Sequence, residues 1–241
     1  MLLSIKRFSS NQRKAENMRI VIRLGGSVVA TPVNTQLISE YAEILKRLRA
    51  DGHVLAVVVG GGALAREFIK IAKELGLPEK DQDDLAISVS RLYAQMFAKT
   101  LGELACEKIP TSVEEAAQCL EKSKIAVLGG LKPGMTTDTV AAMVADHIKA
   151  DMLIKATDQE GVYTKDPRKH PDAVKLERLS FEDLPKVLAE DRHRAGIHQI
   201  LDPEAIKILK AKRIKVRVLN GFKPENLLLA VEGKPVGTAI E

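Results

Sequence analysis

Tryptophan is absent, and aromatic residues make up only 3% of the 241 positions. Binders of single-stranded nucleic acid stack bases on such rings, so that class is disfavoured. Cysteine is almost as scarce: Cys106 and Cys119 are the two present. They form no C-x-x-C pair and have no histidine at metal spacing, so they read as small buried residues in a reducing compartment. No apolar run approaches the roughly 20 residues of a membrane-spanning helix. Familiar nucleotide motifs are missing as well. There is no G-x-x-x-x-G-K-[ST] phosphate loop, and Ala65 stands where G-x-G-x-x-G needs its third glycine. Neither H-R-D nor D-F-G occurs, which excludes a protein kinase.

What remains is an ordinary balance for a globular chain, with 45% hydrophobic and 29% charged residues. The net charge of +5 and pI near 9.1 would suit an anionic partner. Lysine and arginine are interleaved with acids, however, which reads as a mixed solvated surface and not as a nucleic-acid footprint. Residues 1–17 stand apart: they are basic, lack an acid until Glu16, and lack the apolar core of a signal peptide. They read as a leader or arm, with a single folded domain over 18–241.

From Met18 onward, strands and helices alternate. Apolar runs at 19–24, 53–59, 124–128, 151–157, 214–219 and 237–240 predict strands. Helical periodicity predicts helices over 35–50, 63–75, 84–106, 112–122, 136–150, 180–190, 202–212 and 225–231, with a polar stretch at 158–178. Such alternation implies a three-layer α/β/α sandwich around a mainly parallel sheet.

Three predicted strands end in glycines: Gly25-Gly26, Gly60-Gly61-Gly62 and Gly129-Gly130. Ligands of open α/β sheets bind beyond the carboxyl ends of strands, and a glycine turn opening a helix suits phosphate. One such turn is as easily explained by packing. Three at one sheet edge point to a site.

The runs LGGSV (24–28), VVVGGGALAR (57–66), GGLKPGMTTD (129–138), ADMLIKATDQEGVYTKDP (150–167), LDPEA (201–205) and GTAIE (237–241) resemble the amino-acid-kinase family. Within it they are most similar to the short archaeal UMP-kinase branch, across Met18 to Glu241. The resemblance implies transfer of the γ-phosphoryl group of ATP, with Mg²⁺, directly onto UMP. The part at about 18–149 would hold the acceptor and the part at about 150–241 would hold ATP. Gly25, Gly26 and Ser27 would line the transfer path on the ATP side. Gly60, Gly61 and Gly62 would bind the UMP phosphate, helped by Arg66. Asp84, at the start of its helix, would bond the ribose or merely cap that helix. Thr136, Thr137 and Asp138 would place the uracil nucleotide, capping a helix at the same time. Lys155 would meet the nucleotide phosphates; a lysine within an apolar strand is costly without a partner. Thr157, Asp158, Gly161, Val162, Tyr163 and Asp166 would surround ATP. Asp202 would orient the cation or cap the helix behind Pro203, and no dedicated protein cage for Mg²⁺ is implied.

One departure stands out. Many relatives carry lysine two residues before the first glycine, where this chain has Arg23. Arg23 would either take over the catalytic charge, paired with Asp202, or point elsewhere and leave that work to Lys155 and Mg²⁺. The alternatives are a kinase of the same fold acting on isopentenyl phosphate or carbamate, or a non-catalytic nucleotide-binding or storage protein. The segment GGGALAREF (60–68) lacks the histidine expected of an isopentenyl phosphate kinase. The family further implies a cytoplasmic homo-oligomer, a hexamer built from dimers. A nucleic-acid-binding regulator is a further alternative, since some bacterial relatives double as transcription partners, but the net charge alone does not support it, and no membrane partner is expected.

Overall fold

The computed structural model describes residues 17–30, 32–184 and 200–241. Strand β1 (Arg19–Leu24) runs into a short helix α1 (Gly26–Val29). Helix α2 (Thr35–Ala50) starts where Asn34 accepts a hydrogen bond from Leu37 N–H at 2.9 Å. It ends at Gly52, whose φ of +96° suits glycine and reverses the chain into β2 (Val54–Val59). There follow α3 (Gly62–Glu74), α4 (Glu79–Leu101), α5 (Val113–Glu121), β3 (Ala126–Leu128), α6 (Thr137–His147) and β4 (Met152–Thr157). The chain closes with β5 (Val162–Tyr163), β6 (Lys175–Leu176), β7 (Arg178–Leu179), α7 (Pro203–Lys212), β8 (Lys215–Asn220), α8 (Asn226–Val231) and β9 (Thr238–Ile240).

The main sheet has the order β3-β2-β1-β4-β8-β9-β7, and its neighbours are parallel except for β8 and β9. Successive side chains of a strand face opposite ways. Ile20, Ile22 and Leu24 therefore join α2, α4 and α8 in one buried core, while Val21 joins α5, α6 and α7 in the other. A strand covered on both faces must be apolar throughout, which accounts for the unbroken VLAVVV of β2. Each large aliphatic side chain so buried contributes about 1.5–3 kcal/mol.

Several boundaries differ from the sequence expectations. The helix expected over 84–106 is α4, and it begins at Glu79 behind Pro78. Its first turn is polar and exposed, so apolar periodicity does not mark it. Within the polar stretch 158–178, β5 and β6 pair antiparallel, which the sequence reading did not anticipate. Two-residue strands are too short to display an alternating pattern. Of the helix expected at 180–190, residues 185–190 lie outside the described residues, and Phe181–Asp183 form a turn.

The cysteines also need correction. Cys106 and Cys119 are joined in a disulfide, with Cα atoms 6.0 Å apart. The bridge Ala105↔Ile125 draws the segment after α4 alongside the strand that follows α5, bringing the sulfurs together. A 13-residue separation does not announce this pairing.

Candidate active site

Parallel pairing places the ends of β1, β2 and β4 side by side: Leu24 lies opposite Val59 on one flank and Ala156 on the other. The chain leaving β1 is held on both sides, since Gly25 N–H donates to Ala156 C=O at 2.9 Å and Gly60 N–H donates to Leu24 C=O at 3.0 Å. Beyond this edge the first and second glycine turns press together. A Cβ on Gly26 would lie 2.1 Å from the Gly62 amide nitrogen, and Gly62 itself has φ +61°. Both positions require glycine, one for room and the other for its backbone angle. Helix α3 then starts at Gly62 without a side-chain cap, presenting its positive dipole end.

A cavity of about 560 Å³ opens here. Its wall includes Arg23, Gly26, Ser27, Gly60, Gly61, Gly62, Arg66, Thr136, Thr137, Asp138, Lys155, Thr157, Asp158, Gly161, Val162, Tyr163 and Asp166. The sequence reading named all of these. Five cationic side chains (Arg23, Arg66, Lys155, Lys165, Arg168) face three carboxylates (Asp138, Asp158, Asp166), an excess that favours an anionic ligand.

The centre of the cavity is a buried charge cluster. Asp138, in the first turn of α6, lies 2.8 Å from Arg23 Nε and 2.7 Å from Lys155 Nζ. The lysine contact is a hydrogen bond, whereas the Arg23 contact is ionic and poorly aligned for one. Arg23 Nη2 also donates to Thr137 Oγ1 at 3.0 Å. Burial pushes the Asp138 carboxyl toward neutrality, but Arg23 and then Lys155 outweigh it and hold its pKa below the usual carboxylate value. Lys155 is lowered, first by burial and further by Arg23, against the opposing pull of Asp138. Two cations thus share one carboxylate, and an incoming polyanion would relieve the imbalance.

Three of the expected residues lie elsewhere. Gly25 does not line the cavity; it sits behind it, bonded to β4. Asp84 is exposed in the second turn of α4, so it does not start that helix, and it is absent from the cavity wall. Its half-buried neighbour Asp83 instead accepts from Gly134 N–H at 2.7 Å. Asp202 is 92% covered and also off the wall. It caps α7 by accepting from Glu204 and Ala205 N–H at 2.9 Å, and it accepts from Thr136 Oγ1 at 2.5 Å and Thr139 Oγ1 at 2.9 Å. Arg23 therefore pairs with Asp138, not with Asp202.

Sequence reasoning missed Lys165 and Arg168 on the wall. Arg168 Nη2 meets Asp158 Oδ2 at 2.5 Å. The signal was the charge run KDPRK (165–169), which looked like an ordinary solvated loop.

Residues 18–220 match the amino acid kinase family. The chain belongs to that family. Among the relatives of this amino acid kinase is the uridylate kinase of Methanocaldococcus jannaschii, 43% identical over 93% of this chain and 100% of the relative. The uridylate kinase of Sulfurisphaera tokodaii is 40% identical over 93% of this chain and 99% of its own length. The crystal structure of uridylate kinase from Archaeoglobus fulgidus superposes with a TM-score of 0.82 at 40% identity, covering 93% of this chain and 100% of that one.

A kinase of this family implies Mg²⁺ arriving with ATP, and the donor set bears on where it would sit. Both oxygens of Asp138 face cations, and Asp202 is bonded to threonines and backbone N–H groups. Direct ligation by either acid would compete with these contacts. The residues present fit an ion carried by the nucleotide's own phosphates and water.

Proposed function

We propose that this amino acid kinase is a uridylate kinase, transferring the γ-phosphoryl group of ATP to UMP to give UDP and ADP. The observation that carries the reading is the arrival of Thr136, Thr137 and Asp138 in the same cavity as the Gly60–Gly62 turn and Lys155, in a chain 37–43% identical to uridylate kinases over more than nine-tenths of its length.

The acceptor phosphate sits at the Gly60–Gly62 turn, where the start of α3 supplies partial positive charge and Arg66 a charge-assisted contact. Thr136 and Thr137 face the nucleotide from the start of α6. ATP enters from the side of β4, between Thr157 and Asp166, with Tyr163 as an apolar wall. Its terminal phosphate lies between Arg23 and Lys155. Bound Mg²⁺ neutralises phosphate charge. A UMP phosphate oxygen is already ionised, so transfer needs no general base. The rate comes from holding donor and acceptor in line and from stabilising equatorial oxygen charge. Arg23 stands where many relatives have lysine. Asp138 fixes the direction of both cations before substrate arrives, so little reorganisation is left for the reaction itself.

No observation favours isopentenyl phosphate or carbamate as acceptor, or a storage role. No helix among the described residues is long and apolar enough to cross a membrane. The reading includes a cytoplasmic setting and a homo-oligomer, a hexamer of paired dimers. Exposed Phe68 and Ile71 on α3, Leu75 just past its end and Leu92 on α4 are apolar surface available for such contacts. The test is ADP release with ATP and Mg²⁺ against UMP, dUMP, CMP, isopentenyl phosphate and carbamate. Turnover confined to UMP, or to UMP and its close analogues, is expected. No turnover with any acceptor, despite ATP binding, would sink the reading.

A further inference from the structure

The loop 129–135 joins β3 to Thr136, and helix α4 grips it along its length. Arg91 is half-buried on α4. Its Nε donates to Gly130 C=O at 2.9 Å and its Nη2 to Leu131 C=O at 3.0 Å. One turn of helix presents a second hold: Ser90 Oγ accepts from Gly130 N–H at 2.8 Å and donates to Ile87 C=O at 2.7 Å. Farther back, Asp83 Oδ2 accepts from Gly134 N–H at 2.7 Å. The loop's own turn adds Met135 N–H to Lys132 C=O at 3.2 Å. Helix and loop also touch backbone to backbone, since a Cβ on Gly129 would lie 2.6 Å from the Arg91 amide nitrogen.

None of Asp83, Ser90 and Arg91 lines the cavity. The residue immediately after the loop does, and so does the next. We propose that Arg91 is a positioning residue for the acceptor, fixing loop 129–135 and thereby the placement of Thr136 and Thr137. The planar guanidinium spans two successive carbonyl oxygens, which a lysine ammonium reproduces poorly. Freed of that fork, the loop shifts, and the start of α6 shifts with it on the acceptor side. The nucleotide wall at Thr157–Asp166 hangs from β4 and does not depend on the fork.

The inference rests on UMP being the acceptor, and two measurements keep the claims separate. Steady-state kinetics of Arg91→Ala, Arg91→Lys and Ser90→Ala are measured with UMP and ATP varied in turn, alongside thermal melts. Arg91→Ala is expected to raise KM for UMP about tenfold or more, with KM for ATP changed less than about twofold. Arg91→Lys recovers only part of the loss, and Ser90→Ala falls in the same direction. Hydrogen exchange on the full chain without substrate is expected to speed up at 129–135 in each variant. Equal rises in both KM values, or an unchanged KM for UMP, would overturn the proposal. Should the wild-type chain fail to turn over UMP, the acceptor reading fails by itself. Exchange then decides the hold of Arg91 on the loop: unchanged rates at 129–135 refute it. If Arg91→Ala does not fold, the lysine and serine variants carry both measurements.

Discussion

Replacing Asp138 by asparagine removes the charge shared by half-buried Arg23 and buried Lys155 and leaves the shape almost untouched. Contacts of 2.7 Å to Lys155 and 2.8 Å to Arg23 each correspond to about 6 kcal/mol of attraction at an effective dielectric near 20. Desolvation cancels much of that, and breaking a buried pair from one side costs about 3–5 kcal/mol net. For 241 residues the unfolding entropy near the midpoint is about 0.5 kcal/mol/K, so Asp138→Asn should melt about 6–10 °C lower. ATP supplies the missing negative charge to the same cations. Its stabilising shift should therefore be larger in the variant than in the wild type, even as turnover falls by about a hundredfold or more. Differential scanning fluorimetry with and without ATP reads both quantities. A variant melting within about 2 °C of wild type, or one with an unchanged ATP shift, would refute the shared-carboxylate account.

The same cluster sets a pH dependence. The Asp138 pKa is lowered in the folded state, so its contribution is complete above the ordinary carboxylate pKa near 3.9 and is lost as pH falls through the folded value. The stability gap between wild type and Asp138→Asn should hold from neutrality to about pH 4 and close below it, checked by denaturant titration. Arg23→Lys keeps the charge, so kcat should stay within about tenfold, whereas Arg23→Met should lose about a hundredfold or more in the ADP-release assay. Gly26→Ala places a Cβ 2.1 Å from the Gly62 nitrogen and should abolish UMP and ATP binding by calorimetry, because backbone on both turns must move. Cys119→Ser opens a 13-residue loop and should cost about 3 kcal/mol, or about 6 °C in Tm; a reductant should produce the same drop in wild type and none in the variant.

Legibility in the sequence followed the length of each signal. The strands β1, β2, β4 and β8 each run six residues around an apolar stretch, so they were readable to within a residue at either end. Glycines at strand ends located the cavity because parallel strands bring all such ends to one edge. Charge partners were not legible. Arg23, Asp138 and Lys155 are spread over more than 130 positions and meet only because β1 and β4 are neighbours, with α6 packed across them. Asp202 was legible only in part. The D-P pair marks a helix start, and it is one, but nothing in the sequence says that its carboxylate also reaches Thr136 and Thr139. The disulfide was missed for a similar reason, since its geometry depends on the Ala105↔Ile125 bridge.

The contacts of Asp202 and Asp83 explain how the start of α6 is held. Thr136 caps the helix through its own Oγ1, which accepts from Asp138 and Thr139 N–H at 3.1 Å. That hydroxyl spends its proton on Asp202, so it is fully used and its rotamer is fixed. Asp202 in turn is anchored by the first N–H groups of α7. From the other side, α4 grips the loop that precedes Thr136 through Asp83, Ser90 and Arg91. Thr137 and Asp138 thus leave a point pinned between two helices, one from each half of the chain, before Asp138 meets Arg23 and Lys155. A carboxylate aligning two cations serves phosphoryl transfer only if its own position does not wander. Asp202 meets that need from outside the cavity wall, through its hold on Thr136.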